Sequence, residues 1–208
     1  MVEEQGKDFL EARPWLSGIC DTKSTEELEK KYDSWANNYD ADVKDDWSFM
    51  PVKIALTLSK LLPKKDAEIL DAGAGTGLVG EELAKQEYTN LTAVDLSEQM
   101  LAVAKEKQVY KNLYQGNLEE AFLSDPVKFD VIITAGVFAY AHAGVEVLNN
   151  LFSFLKSEGI FLLTIREDYR QQMQTALEQL PWKLVSEESF PIYDEAKLMY
   201  LLGFKKEG

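Results

Sequence analysis

Residues 68–80 read EILDAGAGTGLVG, and the fold turns on how this stretch is parsed. Ile69 and Leu70 run into Asp71. Gly73, Gly75 and Gly77 then alternate with small residues before a helical pattern begins near Leu78. A buried strand entering a helix through a glycine turn accounts for the order. Glycine permits positive φ and lets a ligand approach the main chain with no Cβ in the way. The free N–H groups and positive dipole end of the helix that follows suit a carboxylate or phosphate. The turn is a candidate binding site.

Outward from the turn, short apolar runs alternate with helical stretches. The strand candidates are AEILDA (67–72), LTAVDL (91–96), LYQG (113–116), FDVIITA (129–135) and GIFLLTI (159–165). Helices are expected near 77–87, 97–108, 142–156 and 168–180. That alternation is the mark of right-handed βαβ units around a parallel sheet, an α/β doubly wound fold. The tail departs from it: WKLVSEESFPIY (182–193) and KLMYLLGFKK (197–206) lie too close for a crossover, so they predict an antiparallel pair.

Upstream, Ser24 and Glu27 form a capping box that opens a helix. Leu28, Tyr32, Trp35, Ala36 and Tyr39 fall on one face of it, a spacing that points to core more readily than to ligand contact. A second helix is expected from Pro51, with Val52, Ala55, Leu56 and Leu62 inward, ending before Pro63. Residues 1–66 thus read as a leader and helical extension, able to form a lid with Trp47, Phe49 and Met50 as apolar cover. Residues 67–208 read as the sheet domain.

With 208 residues, 46% hydrophobic and 28% charged, the chain has the composition of one globular domain. Its net charge of −14 weighs against nucleic acid, since only the Lys pairs at 64–65 and 205–206 offset it locally. Cys20 is the single cysteine, so no internal disulfide forms, and no Cys/His spacing suggests a metal. The N-terminal segment lacks an apolar signal core and no run is long enough to span a membrane, so the chain reads as cytosolic. Oligomeric state is not readable.

Asp95 ends the second strand, twenty residues after Gly75. An acid there accepts hydrogen bonds from ribose hydroxyls, so turn and acid together indicate an adenosine ribose. Which cofactor carries it is a separate matter. GTGLVG (75–80) matches the dinucleotide spacing G-x-G-x-x-G, and YDEAK (193–197) matches the Y-x-x-x-K of short-chain reductases. Against a pyrophosphate stands Asp71, whose negative charge suits a cation such as the α-ammonium of a methionine moiety. Against the Tyr–Lys pair stands its place between two edge strands.

LDAGAGTG, VDLS and FDVIITAG, in this order and spacing, resemble the class I S-adenosylmethionine-dependent methyltransferases over roughly residues 28–206. YDSWANNYDADV (32–43) followed by DAGAGTGLVGEEL (71–83) further resembles the methyltransferase-like proteins named for the Williams–Beuren syndrome region. The resemblance implies a Rossmann-like seven-stranded sheet, order 3-2-1-4-5-7-6 with strand seven antiparallel, and S-adenosyl-L-methionine as cofactor. It implies that Asp71, Gly73, Ala74 and Gly75 face the methionine part and that Asp95 binds the ribose. Leu96, Ser97 and Met100 would lie near the adenosine, Asn117 and Leu118 near the adenine, and Ala135 beside the sulfonium. Tyr39 would close over the methionine end. Asn117 would equally cap a short helix over 118–122.

Methyl transfer needs an activated donor, alignment and exclusion of water, with a base only for a protonated acceptor. His142, the single histidine, and Tyr140 stand just past strand four as candidates at the acceptor. Arg166 and Tyr193 are further rim candidates; Arg166 would receive an acceptor carboxylate or pair with a surface acid. A small-molecule methyl acceptor is the leading expectation. A nicotinamide oxidoreductase and a non-catalytic cofactor-binding protein are the alternatives.

Overall fold

In the computed structural model, residues 18–19, 22, 24–120, 122–123, 127–138, 143–192 and 194–208 are described. Cys20, Tyr140, His142 and Tyr193 lie outside them, as does nearly all of the 1–23 leader.

Two helices lead in, α1 (Thr25–Trp47) and α2 (Phe49–Leu61). Strand β1 (Glu68–Ala72), helix α3 (Leu78–Lys85), β2 (Asn90–Asp95), α4 (Glu98–Glu106) and β3 (Asn112–Gln115) follow. Then come β4 (Phe129–Phe138), α5 (Val145–Phe154), β5 (Leu155–Arg166), α6 (Glu167–Gln179), β6 (Trp182–Ile192) and β7 (Asp194–Lys206). The sheet has seven strands in the order β3-β2-β1-β4-β5-β7-β6. Strands β1 to β5 pair in parallel, and β7 runs antiparallel to both β5 and β6.

Strand pleating sorts the core into two layers. Leu70, Ile132, Phe161, Leu163 and Leu202 face Val147, Leu148 and Leu151 of α5 and Met173 and Leu177 of α6. Ile69, Val131, Ile133, Leu162 and Leu201 face Met50, Ile54 and Leu58 of α2 and Val79 and Leu83 of α3. By the same period, Asp71 falls on the second face with Ile69. It is the one charged residue of the described buried set.

Several expected boundaries shift; β4, for one, runs on to Phe138. Helix α2 begins at Phe49, two residues before Pro51, which sits in its first turn where a missing N–H costs nothing. Its phase differs too: Met50, Ile54 and Leu58 point inward, whereas Val52 and Leu56 are exposed. Strand β5 begins at Leu155, directly from α5, earlier than residue 159. The capping box holds, with the Ser24 hydroxyl accepting from the Glu27 N–H at 3.2 Å. Among the described residues no helix is long and apolar enough to cross a membrane.

Candidate functional site

The turn after β1 is built by backbone geometry. Gly73, Gly75 and Gly77 all have positive φ, at 75°, 53° and 85°. The N–H groups of Gly73 and Ala74 both donate to the Val94 carbonyl, at 2.8 and 3.1 Å, which ties the turn to the end of β2. A Cβ on Gly73 would stand 2.4 Å from Cγ2 of Val137, so an alanine here would have to displace that side chain as well as adopt a positive φ.

Asp95, at the end of β2, accepts from the Gly75 N–H at 2.7 Å and from the Ser97 N–H at 2.9 Å. Burial raises its pKa, and these backbone donors, Ser97 before Gly75, pull it part of the way back. The carboxylate therefore locks the turn and the start of α4 into one piece while itself staying partly open to the cleft.

A cleft opens here, along the carboxyl ends of β1, β2, β3 and β4, where open α/β sheets bind their ligands. Gly73, Gly75, Asp95, Leu96, Met100, Asn117, Leu118 and Ala135 line it, with Tyr32 and Tyr39 from α1. Eight of the twelve cofactor-contact candidates face the cleft from the sheet domain and Tyr39 faces it from α1. Three are absent from its lining. Ala74 is buried against Ala93 and Leu101. Ser97 is fully buried and caps α4, accepting from the Met100 N–H at 3.0 Å. Asp71 is buried beneath the turn.

Asn117 does not cap a helix, because residues 118–120 form a turn; its Oδ1 accepts from the Glu119 N–H at 3.0 Å. Of the two partners expected for Arg166, a surface acid is seen: it pairs with Asp168, Nε to Oδ1 at 3.0 Å. Residues 194–197 belong to β7 and not to a helix, which removes the context that a Y-x-x-x-K pair needs.

Helix α1 supplies what the sequence reading missed. It crosses the carboxyl ends of the strands from β3 to β4. Glu29 accepts from Gln115 of β3 at 3.0 Å. Asp33 accepts from the Ser97 hydroxyl at 2.6 Å and the Gln99 N–H at 3.3 Å, so a carboxylate fills the N-terminus of α4. Two turns on, Asp40 accepts from the Thr76 hydroxyl and from Lys107 Nζ, the latter at 2.9 Å. Lys107 also pairs with Glu81 at 2.8 Å; burial works against its charge, but the two acids outweigh it and its pKa is raised. Beyond, Trp47 lies against Gly136, whereas Phe49 packs on Phe190 at 5.7 Å and Met50 is core.

The signal for this arrangement was the repeated Tyr-Asp pair. Tyr32 and Tyr39 face the cleft, while Asp33 and Asp40, each the next residue, fasten the helix to the domain. The expectation that Tyr32 is core is corrected: both tyrosines are half-buried, and Trp35 braces Tyr39 edge-on at 4.6 Å.

Comparison with known proteins shows the family. The chain belongs to the methyltransferase domain family, which matches residues 63–205. Malonyl-[acyl-carrier protein] O-methyltransferase of Bacillus cereus is 32% identical over 145 residues, 66% of this chain and 51% of that one. Human Methyltransferase-like protein 27 is 28% identical over 188 residues, 86% of this chain and 76% of that one. The chain thus spans about half the length of the first of these relatives. A crystal structure of an S-adenosylmethionine-dependent methyltransferase from Clostridium acetobutylicum superposes with a TM-score of 0.65 at 18% identity, covering 85% of this chain and 99% of that one.

Family membership makes S-adenosylmethionine the cofactor, and the residues present fit it. The carboxylate at the end of β2 suits ribose hydroxyls. Among the described residues, one oxygen of buried Asp71 has no hydrogen-bond partner, which suits a donor on the ligand. In the C-terminal half of β4, the small residues Ala135 and Gly136 would leave room beside a sulfonium. The N-terminus of α4 already holds the Asp33 carboxylate.

Proposed function

We propose that the protein transfers a methyl group from S-adenosylmethionine to a small-molecule acceptor by in-line displacement. The cleft carries the reading: turn glycines, Asp95, and the small residues Ala135 and Gly136 of β4 converge in one space roofed by α1. When bound, the cofactor supplies a methyl group on a positively charged sulfur. The chain's own residues then have three tasks. Asp95 and the turn fix the adenosine end, Ala135 and Gly136 give the acceptor its approach, and Tyr32 and Tyr39 exclude water. The net charge of −14 favours encounter with a cationic donor. His142 and Tyr140 remain the candidates for a base at the acceptor. The relatives named as O-methyltransferases support an oxygen acceptor, and the likeness to human Methyltransferase-like protein 27 supports the narrower kinship read from the Tyr-Asp segment.

The test is turnover. Incubation with methyl-labelled cofactor and a panel of phenols, alcohols, amines and carboxylates is expected to move label to one class, with an equal amount of S-adenosylhomocysteine formed. Tight binding with no transfer to any class would instead favour a non-catalytic cofactor-binding protein.

Within this reading, residues 25–47 act as a lid whose clasps are Asp33 and Asp40. The Asp33→Ala/Asp40→Ala double variant is expected to be cut by protease within α1 about fivefold or more faster than the parent, since local opening governs cleavage. Saturating S-adenosylhomocysteine is expected to slow cleavage of the parent. A cleavage rate indifferent to ligand would remove the lid from the account.

A further inference from the structure

Tyr110, in the loop between α4 and β3, lies outside the cleft and is partly buried, packed against the core clusters that hold Val79 and Leu83 of α3 and Leu101 of α4. Its hydroxyl donates to Asp71 Oδ2 at 2.5 Å and accepts from the Gly80 N–H at 3.2 Å. Its ring fills the wedge between α3 and α4. A Cβ on Gly80 would stand 2.3 Å from the Tyr110 oxygen, and one on Gly77 would stand 2.9 Å from its ring. The last glycine of GTGLVG is therefore explained without a pyrophosphate: it makes room for this tyrosine.

Asp71 is the reason the tyrosine matters. It is 1% exposed, two residues before Gly73 of the cleft, and among the described residues its Oδ1 has no hydrogen-bond partner. A buried carboxylate with one oxygen unsatisfied is costly unless a ligand completes it. We propose that Tyr110 is a positioning residue for the amino-acid end of S-adenosylmethionine: its hydroxyl holds one oxygen of Asp71 and leaves the other for the ligand's α-ammonium, directly or through a water. This rests on the cleft being the S-adenosylmethionine site.

The charged and titratable groups that act on Asp71 are Tyr110 and Asp95. Burial raises the Asp71 pKa to about 7; the Tyr110 hydrogen bond opposes that, and Asp95 adds to it. Tyr110 itself, partly buried and beside a carboxylate, is raised well above the ordinary phenol value and stays a donor. The tyrosine is thus what favours the ionised form of Asp71. Without its hydroxyl, Asp71 takes up its proton at higher pH, and a neutral acid attracts an ammonium weakly.

The test compares two ligands on the full chain: S-adenosylhomocysteine, and 5′-methylthioadenosine, which has the same adenosine and no amino-acid end. Calorimetry on Tyr110→Phe near pH 7.5 is expected to show S-adenosylhomocysteine weakened about tenfold, as for loss of a hydrogen bond to a charged group, and methylthioadenosine unchanged. The loss should shrink toward pH 8.5, while the parent itself weakens for S-adenosylhomocysteine alone as pH falls below 7. Asp71→Asn, which keeps the tyrosine in place, should show the same ligand-selective loss with no recovery at high pH. Equal weakening of both ligands, or of neither, would overturn the role given to Tyr110. A parent that binds neither ligand would overturn the reading of the cleft as well.

Discussion

Replacing Asp95 by alanine is expected to weaken S-adenosylhomocysteine binding by about 100-fold or more. Two losses combine. A carboxylate that receives ribose hydroxyls contributes roughly 1.5–3 kcal/mol per charge-assisted hydrogen bond. The same carboxylate holds the Gly75 and Ser97 N–H groups at 2.7 and 2.9 Å, so its removal also frees the turn from the start of α4. Asp95→Asn separates the two contributions, because an amide oxygen still accepts from one N–H while the charge is gone. Its loss should fall between the parent and Asp95→Ala. Binding by Asp95→Ala within about fivefold of the parent would remove this residue from the ribose site; thermal melting of both variants shows whether the domain is intact.

The second large effect concerns stability against pH. Asp71 has its pKa raised from 3.8 to about 7 in the folded protein, by burial first, with Tyr110 lowering and Asp95 raising it further. A raised pKa means that the folded state holds the proton more tightly than the unfolded chain does. The contribution is complete below about pH 4 and is lost as pH climbs through about 7. At about 1.4 kcal/mol for each tenfold change in proton affinity, the full loss is on the order of 4 kcal/mol. Between pH 5 and 8 the ligand-free parent should therefore lose stability that Asp71→Asn does not. Denaturant titrations of both proteins across that range measure the difference. Parallel curves would show that Asp71 is ionised in the folded state throughout. The site thus spends stability on a buried acid, as functional positions commonly do.

The sheet domain was legible because its signals are local. Ile69 and Leu70 before alternating glycines, and apolar runs at βαβ spacing, specify strand, turn and helix within a few residues of one another. The hairpin of β6 and β7 followed from its short connection, and the strand order from the family resemblance. Asp95 was legible because its distance from Gly75 along the chain is set by one helix and one strand.

What escaped depends on contacts distant in sequence. Asp33 and Asp40 read as solvated charges on a helix, since nothing local shows that Ser97, Thr76 and Lys107 will meet them. Tyr110 is a lone aromatic in a loop, 39 residues from the Asp71 that it serves. Ala74 and Ser97 were placed at the ligand by their neighbours in the motif. The turn points alternate residues inward, and the hydroxyl at the start of α4 is used up as its cap. The phase of α2 slipped because Val52 and Leu56 are as apolar as the residues that do face the core.

The central claim is that the cleft under α1 binds the S-adenosyl group through its adenosine and its amino-acid end together. Calorimetric titration of the 208-residue chain with S-adenosylhomocysteine, and in parallel with NADH, tests it most directly. The account predicts one-to-one binding of S-adenosylhomocysteine, lost in Asp95→Ala, and none of NADH. Binding of NADH with no response to S-adenosylhomocysteine would contradict it.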